Sequence, residues 1–172
     1  IAQMDDLPSH WLVSTAISSL ACLTHRGAVA ADGKSGDGCG LLFRKPDGFL
    51  RAVAAENQFT VADEYAVGII FYSAHATLTK LFAAMEEQGL TVAGVRKVPV
   101  NIEACGEYAL QTLPQIGQLF VNAPAGMTSQ VFERKLYQAR RVAEKANTDD
   151  AAFYMPTLSP HVLSYKGLVT PD

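Results

Sequence analysis

A chain of 172 residues is long enough for one domain with a real core, and 49% hydrophobic against 18% charged residues excludes a disordered polypeptide. A net charge of −3 and a pI near 5.8 give no electrostatic reason to expect nucleic acid. No apolar run approaches the roughly 18 residues of a membrane span, and no signal-peptide pattern opens the chain.

From the N-terminus, Pro8-Ser9 followed by Val13, Ala16, Ile17, Leu20 and Leu23 reads as a capped amphipathic helix over Ser9 to Thr24. Gly27 is placed to close it. The stretch AVAADGKSGDGCG is rich in glycine and small residues and reads as loop. Leu41 to Phe43 is expected as a short buried strand, and Asp47 to Asn57 as a short helix. Tyr65 to Tyr72, YAVGIIFY, has the aromatic and β-branched content of a strand. Ala76 to Gln88 follows as a helix, with Leu78, Leu81, Phe82 and Met85 on one face and Gly89 as its stop. Thr91 to Val100 holds a strand that ends at Pro99. A helical turn near Glu107 and a strand across Gln118 to Val121 come next, with Pro114 and Gly117 between them. Thr128 to Lys145 is a helix with Phe132, Leu136, Ala139 and Ala143 in register. Ala152 to Met155 and Val162 to Tyr165 read as a final pair of strands. No repeat, low-complexity segment or linker interrupts this order, so the expectation is one layered α+β domain. The ends are expected to belong to something longer, since the chain starts at Ile1 and Gly167 to Asp172 follows a strand without a terminal helix.

The chemistry-bearing residues are few. Cys22, Cys39 and Cys105 form no CxxC pair and no Cys/His cluster, so they point to neither a metal site nor a disulfide framework. The expectation is free, buried and unreactive thiols in a reducing cytoplasm, with Cys22 surrounded by Leu20, Ala21 and Leu23. Gly33-Lys34-Ser35 resembles the end of a phosphate-binding loop, but Ala28 stands where the first glycine is needed and a strand follows. Gly36-Asp37-Gly38-Cys39-Gly40 has GxGxG spacing rather than GxGxxG, so its content is conformational: positive φ and close backbone approach. Arg134, Lys135, Arg140, Arg141 and Lys145, interspersed with Glu133 and Glu144, read as a solvated helix face. His10, His75 and His161 stand alone. Asp5-Asp6 and Asp149-Asp150 read as surface turns. Arg26 is different: a planar cationic fork at a helix end beside a glycine loop can hold a carboxylate or brace a bent backbone.

HRGAVAADGKSGDGCGLL is similar to the HRGA…D…TGDGAG stretch of glutamate synthase large subunits, and PSHWLV…AISSLACLTHRG looks like the helix that precedes it. VRKVPVN, FERKLYQARR and AFYMPTLSPHVLSYKGLVTPD agree more loosely, the last resembling FYIPSLS…YKGML. The resemblance runs along essentially the whole chain, and its HRGA/SGDGCG pair is the specific part. It implies a glutamine-hydrolysing domain of the class II amidotransferases, within the N-terminal-nucleophile hydrolases. The implied fold is a four-layer αββα stack of two antiparallel sheets between helices, here a partial domain over residues 1–172 and incomplete at both ends.

The same resemblance implies a mechanism. An N-terminal cysteine attacks the glutamine side-chain amide, with its own α-amino group as base. Ammonia then passes to 2-oxoglutarate at an FMN site elsewhere in the large subunit. Electrons come through an iron–sulfur cluster from a small NADPH-oxidising subunit or ferredoxin. The opening CGVGF of the family is not in this chain, so the nucleophile is expected just upstream of Ile1. A further Arg and the Asn-Gly oxyanion segment are expected beyond Asp172, and the isolated 172 residues are expected to be inactive. No catalytic residue is assigned. Arg26 is the one family position that carries over, as a substrate-binding or supporting residue near the nucleophile. Two alternatives stand beside this reading: a non-catalytic amidotransferase-like interaction or sensor module, and a fragment of an asparagine or glucosamine-phosphate synthase. The ADGKSGDGCG insertion after HRG favours glutamate synthase over the latter.

Overall fold

The computed structural model describes residues 1, 2, 4 and 7–167. Six strands and five α-helices occur among them: α1 (His10–Ala21), β1 (Cys39–Arg44), α2 (Asp47–Glu56), β2 (Tyr65–Tyr72), α3 (His75–Glu87), β3 (Thr91–Lys97), α4 (Glu107–Gln111), β4 (Gln115–Asn122), α5 (Ser129–Ala146), β5 (Leu158–Ser159) and β6 (Val162–Gly167). The chain divides into two compact units, neither of them contiguous in sequence. The first gathers Ile1–Leu42, Val100–Leu113 and Tyr165–Asp172; the second gathers Phe43–Pro99 and Pro114–Ser164.

The second unit carries a four-stranded sheet in the order β3-β4-β2-β5, whose neighbours all pair antiparallel. Side chains alternate across it. Ala66, Ile70, Leu119 and Val121 join Leu81 and Met85 of α3 and Phe132, Leu136, Ala139 and Ala143 of α5 in one apolar cluster. The opposite face presents Tyr65 and Phe120, whose rings stack with centroids 6.4 Å apart, and Phe59 lies 5.7 Å from Phe120. With both faces covered, β2 is buried almost end to end, which is why its sequence is a continuous apolar run rather than an alternating one. Thr128 caps α5, its Oγ1 accepting from Val131 N, and the basic residues of α5 lie outward, with Arg140 and Arg141 both paired to Glu144. Among the described residues no helix is long and apolar enough to cross a membrane.

Several expectations need correction. α1 ends at Ala21, with Cys22 as its C-cap; a 3₁₀ turn, Thr24–Arg26, separates it from Gly27, so Gly27 does not close the helix. No residue of α1 is buried; Val13 and Ile17 are 41% and 51% exposed, and Cys22 is exposed too. The twelve residues of α1 include no charged side chain, so its sequence marks no solvent face, and burial depends on what packs there. β1 is only half-buried, with Leu42 67% exposed, because alternate residues face outward. Gly117, read as part of a break, lies inside the β4 ladder opposite Ile70 and Lys97. Ala152 to Met155 is not a strand: Tyr154 makes a single bridge to Phe71, and the paired residues are Leu158 and Ser159. A turn closed by Phe153 N to Asp150 O precedes that bridge, and Pro156 without an N–H follows it. Asp5, Asp6 and the tail after Gly167 lie outside the described residues.

Candidate functional site

The segment around Arg26, the candidate site, belongs to the first unit and begins where α1 fails to continue. Leu23 N donates to Leu20 O at 2.8 Å, and Arg26 N donates to Leu23 O at 2.8 Å. These i→i+3 bonds tighten the exit from the helix and bring His25 and Arg26 around a corner. The Arg26 side chain is exposed.

Beyond Gly27 the chain folds on itself. Ala28 N donates to the Asp37 carboxylate at 3.1 Å, Asp37 N returns to Ala28 O at 3.3 Å, and Val29 bridges Gly36. The tip is a tight turn: Gly33 N reaches Ala30 O, and Ala30 N reaches Ser35 O. Gly33 and Gly38 hold φ of 72° and 103°, a region that side chains with a Cβ rarely enter. The segment that reads as loop is thus a short, closed hairpin.

Its anchor is Asp32. Oδ1 accepts from Lys34 N at 3.0 Å and Ser35 N at 2.8 Å, an Asx turn. Oδ2 accepts from Ser35 Oγ at 2.6 Å and from Tyr108 N at 3.2 Å. Ser35 Oγ in turn accepts from Ala109 N at 3.1 Å. Two orphan donors of the first turn of α4 are therefore capped by side chains more than seventy residues away. Gly106, at the N-cap of α4, provides no cap itself. A Cβ there would lie 2.3 Å from Ser35 Oγ and 2.5 Å from Asp32 Oδ2, so the contact requires glycine. The hydrogen bonds, led by that from the Ser35 hydroxyl, hold the Asp32 carboxyl far below the usual carboxylate range. The hairpin leads into β1, where a Cβ on Gly40 would meet Tyr165 O at 2.6 Å. This is the close backbone approach that the glycine pattern implies.

Cys39 and Cys105 are half-buried and Cys22 is exposed; none of the three is in a disulfide. Among the described residues no three His, Cys, Asp or Glu side chains gather into a metal site. A groove of about 580 Å³ is lined by Leu78, Phe82, Leu90, Val92 and other residues of α3 and β3 in the second unit, and Arg26 is not part of it.

The sequence as a whole matches a known family. The model for glutamine amidotransferases class-II matches residues 1–172. The chain belongs to the class II glutamine amidotransferases. It is 34% identical over 178 residues to the glutamate synthase [NADPH] large chain of Bacillus subtilis, which covers 99% of this chain and 12% of that protein. It is 35% identical over 179 residues to ferredoxin-dependent glutamate synthase 1 of Arabidopsis thaliana, covering 98% of this chain and 11% of that protein. The glutamate synthase [NADPH] large chain of Azospirillum brasilense is 33% identical over 177 residues, with coverage of 98% and 12%. The amidotransferase chain thus spans only about an eighth of the length of these relatives.

The motifs of this amidotransferase chain single out Arg26 and the glycines and pass over Asp32, Ser35 and Gly106. The local signal for the first two is Asp-Gly-Lys-Ser, a sequence suited to an Asx turn. Nothing in the sequence links that turn to Gly106, because the partners are far apart along the chain.

Proposed function

We propose that this chain is part of the glutaminase domain of a glutamate synthase large subunit, and that Arg26 lies at the edge of the glutamine site. The observation that carries the reading is the corner at Arg26, braced by a hairpin closed at Asp37 and anchored at Asp32. An arginine whose backbone is held on a braced corner presents an exposed cationic fork for a carboxylate, such as the α-carboxylate of glutamine. The antiparallel sheet with α3 and α5 packed on one face suits the four-layer αββα arrangement.

In this reading a thiolate attacks the side-chain amide carbon of glutamine. The C–N bond breaks, ammonia leaves with the proton that the α-amino base took from the thiol, and water cleaves the thioester to glutamate. The base must be the nucleophile's own α-amino group, so none of Cys22, Cys39 or Cys105 qualifies. Ammonia goes to 2-oxoglutarate in another part of the polypeptide, in the cytoplasm. When bound elsewhere in that polypeptide, FMN and an iron–sulfur cluster would provide the redox chemistry, with electrons from a small NADPH-oxidising subunit or from ferredoxin. No residue of this chain is assigned to either group.

The test uses the full-length polypeptide carrying this sequence. A diazoketone analogue of glutamine should modify an N-terminal cysteine, located by peptide mass mapping; an adduct on Cys22, Cys39 or Cys105 overturns the mechanism. Arg26→Ala should lower kcat/KM for glutamine by roughly 10²-fold, the scale of a lost positioning contact, with the melting temperature unchanged. Unaltered kinetics in the folded variant would return Arg26 to the ordinary surface.

A further inference from the structure

We propose that Asp32 is a positioning residue for glutamine binding: its carboxylate locks the 28–40 hairpin onto the first turn of α4 and so fixes the corner that carries Arg26. The proposal rests on the reading of Arg26 as part of the glutamine site.

The connection can be followed atom by atom. One oxygen of Asp32 holds Lys34 N and Ser35 N, which sets the turn; the other holds Ser35 Oγ and Tyr108 N, which sets where the turn sits. Ser35 is buried and passes the contact on by accepting from Ala109 N. Backbone bonds then carry the constraint along the hairpin, from Ala30 N to Ser35 O and from Asp37 N to Ala28 O, and the Asp37 carboxylate fixes Ala28 N. Ala28 is two residues from Arg26, and on the other side Arg26 N is tied to Leu23 O. The corner is therefore held from both directions, and the hairpin side ends in a single carboxylate. Gly106 shows how closely the parts fit, since even a methyl group would displace the Asp32–Ser35 pair. An acidic side chain is needed because four donors converge on its two oxygens. An amide would present an NH₂ group to two of them.

A bracing residue of this kind leaves the chemistry alone and changes where the substrate's partner stands. Small displacements from residues distant from the chemistry are costly, up to about 10²-fold for roughly 1 Å. Asp32→Asn in the full-length polypeptide should raise KM for glutamine by roughly tenfold, with kcat little changed. Ser35→Ala, which removes the shared hydroxyl, should shift KM in the same direction by less.

The decisive measurement is the double variant. If Asp32 acts through Arg26, Asp32→Asn adds nothing to KM in an Arg26→Ala background. Independent, multiplying effects would instead assign Asp32 to general stability and overturn the proposal. Wild-type KM in a folded Asp32→Asn variant, with Arg26→Ala impaired, would overturn the proposal and leave the reading of Arg26 standing. Wild-type kinetics in Arg26→Ala itself would remove that reading. Should Asp32→Asn fail to fold, Ser35→Ala decides in the same double variant.

Discussion

At the scale of single residues, local composition and contact pattern point in opposite directions at Cys22. Its neighbours Leu20, Ala21 and Leu23 are apolar, yet it is exposed at the C-cap of α1. In the folded chain Cys22 should react with a thiol reagent faster than the half-buried Cys39 and Cys105. A rate no faster than theirs would contradict the exposure. Local sequence describes a residue's neighbours on the chain, and burial is decided by neighbours in space. Gly33, Gly38 and Gly40 were legible because their meaning is local: a change of backbone conformation, a strand that must come close. Asp32 was not, because its importance comes from Tyr108 N, and Asp150 was read as surface turn for the same reason.

Asp150 acts at the scale of elements. The segment after α5 turns back, and its carboxylate accepts from Ser73 N at 3.0 Å, Ser73 Oγ at 2.7 Å and Thr77 Oγ1 at 2.5 Å. It thereby clasps the start of α3, whose N-cap, Ala74, has no side chain to offer. Burial opposes the charge on Asp150, but these hydrogen bonds and one from Ala152 N prevail and lower its pKa to about 2. Asp150→Ala should cost roughly 1–2 kcal/mol, the usual range for a lost helix-start partner. A depressed carboxylate pKa means stability that is fully present above the unfolded value of about 4 and lost as pH falls through the folded one. The gap between wild type and Asp150→Ala in denaturant midpoint should thus be constant near neutrality and narrow from pH 4 towards about 2. A gap that persists unchanged at acid pH would show that the carboxylate charge is not what holds α3. The long helices α3 and α5 and the strand β2 were readable to within a residue or two because period and propensity agree there. Ala152 to Met155 was not, because Tyr154 has strand composition but only one bridge partner.

For the molecule as a whole, the two units differ in how they are stabilised. Among the described residues every buried apolar side chain except Ala109 belongs to the second unit. Phe132→Ala, which empties a fully buried position of the α3–α5 cluster, should cost about 3–5 kcal/mol. Ile17→Ser on α1 should stay within about 0.5 kcal/mol, the usual range for a surface change. Chemical denaturation of the two variants measures both, and a comparable loss at Ile17 would mean that α1 is covered. The non-contiguous division into units could not be read from the sequence, because no linker or change of composition marks it. The position of Trp11 carries a practical consequence. It is the one tryptophan of the chain, lies on α1 and is 66% exposed. Its fluorescence should already resemble that of a solvated indole in the native state, and it should shift little when the β2–β4 sheet melts. Emission spectra would then report a folded chain as if it were unfolded, and unfolding is better followed by circular dichroism or by the buried Tyr65.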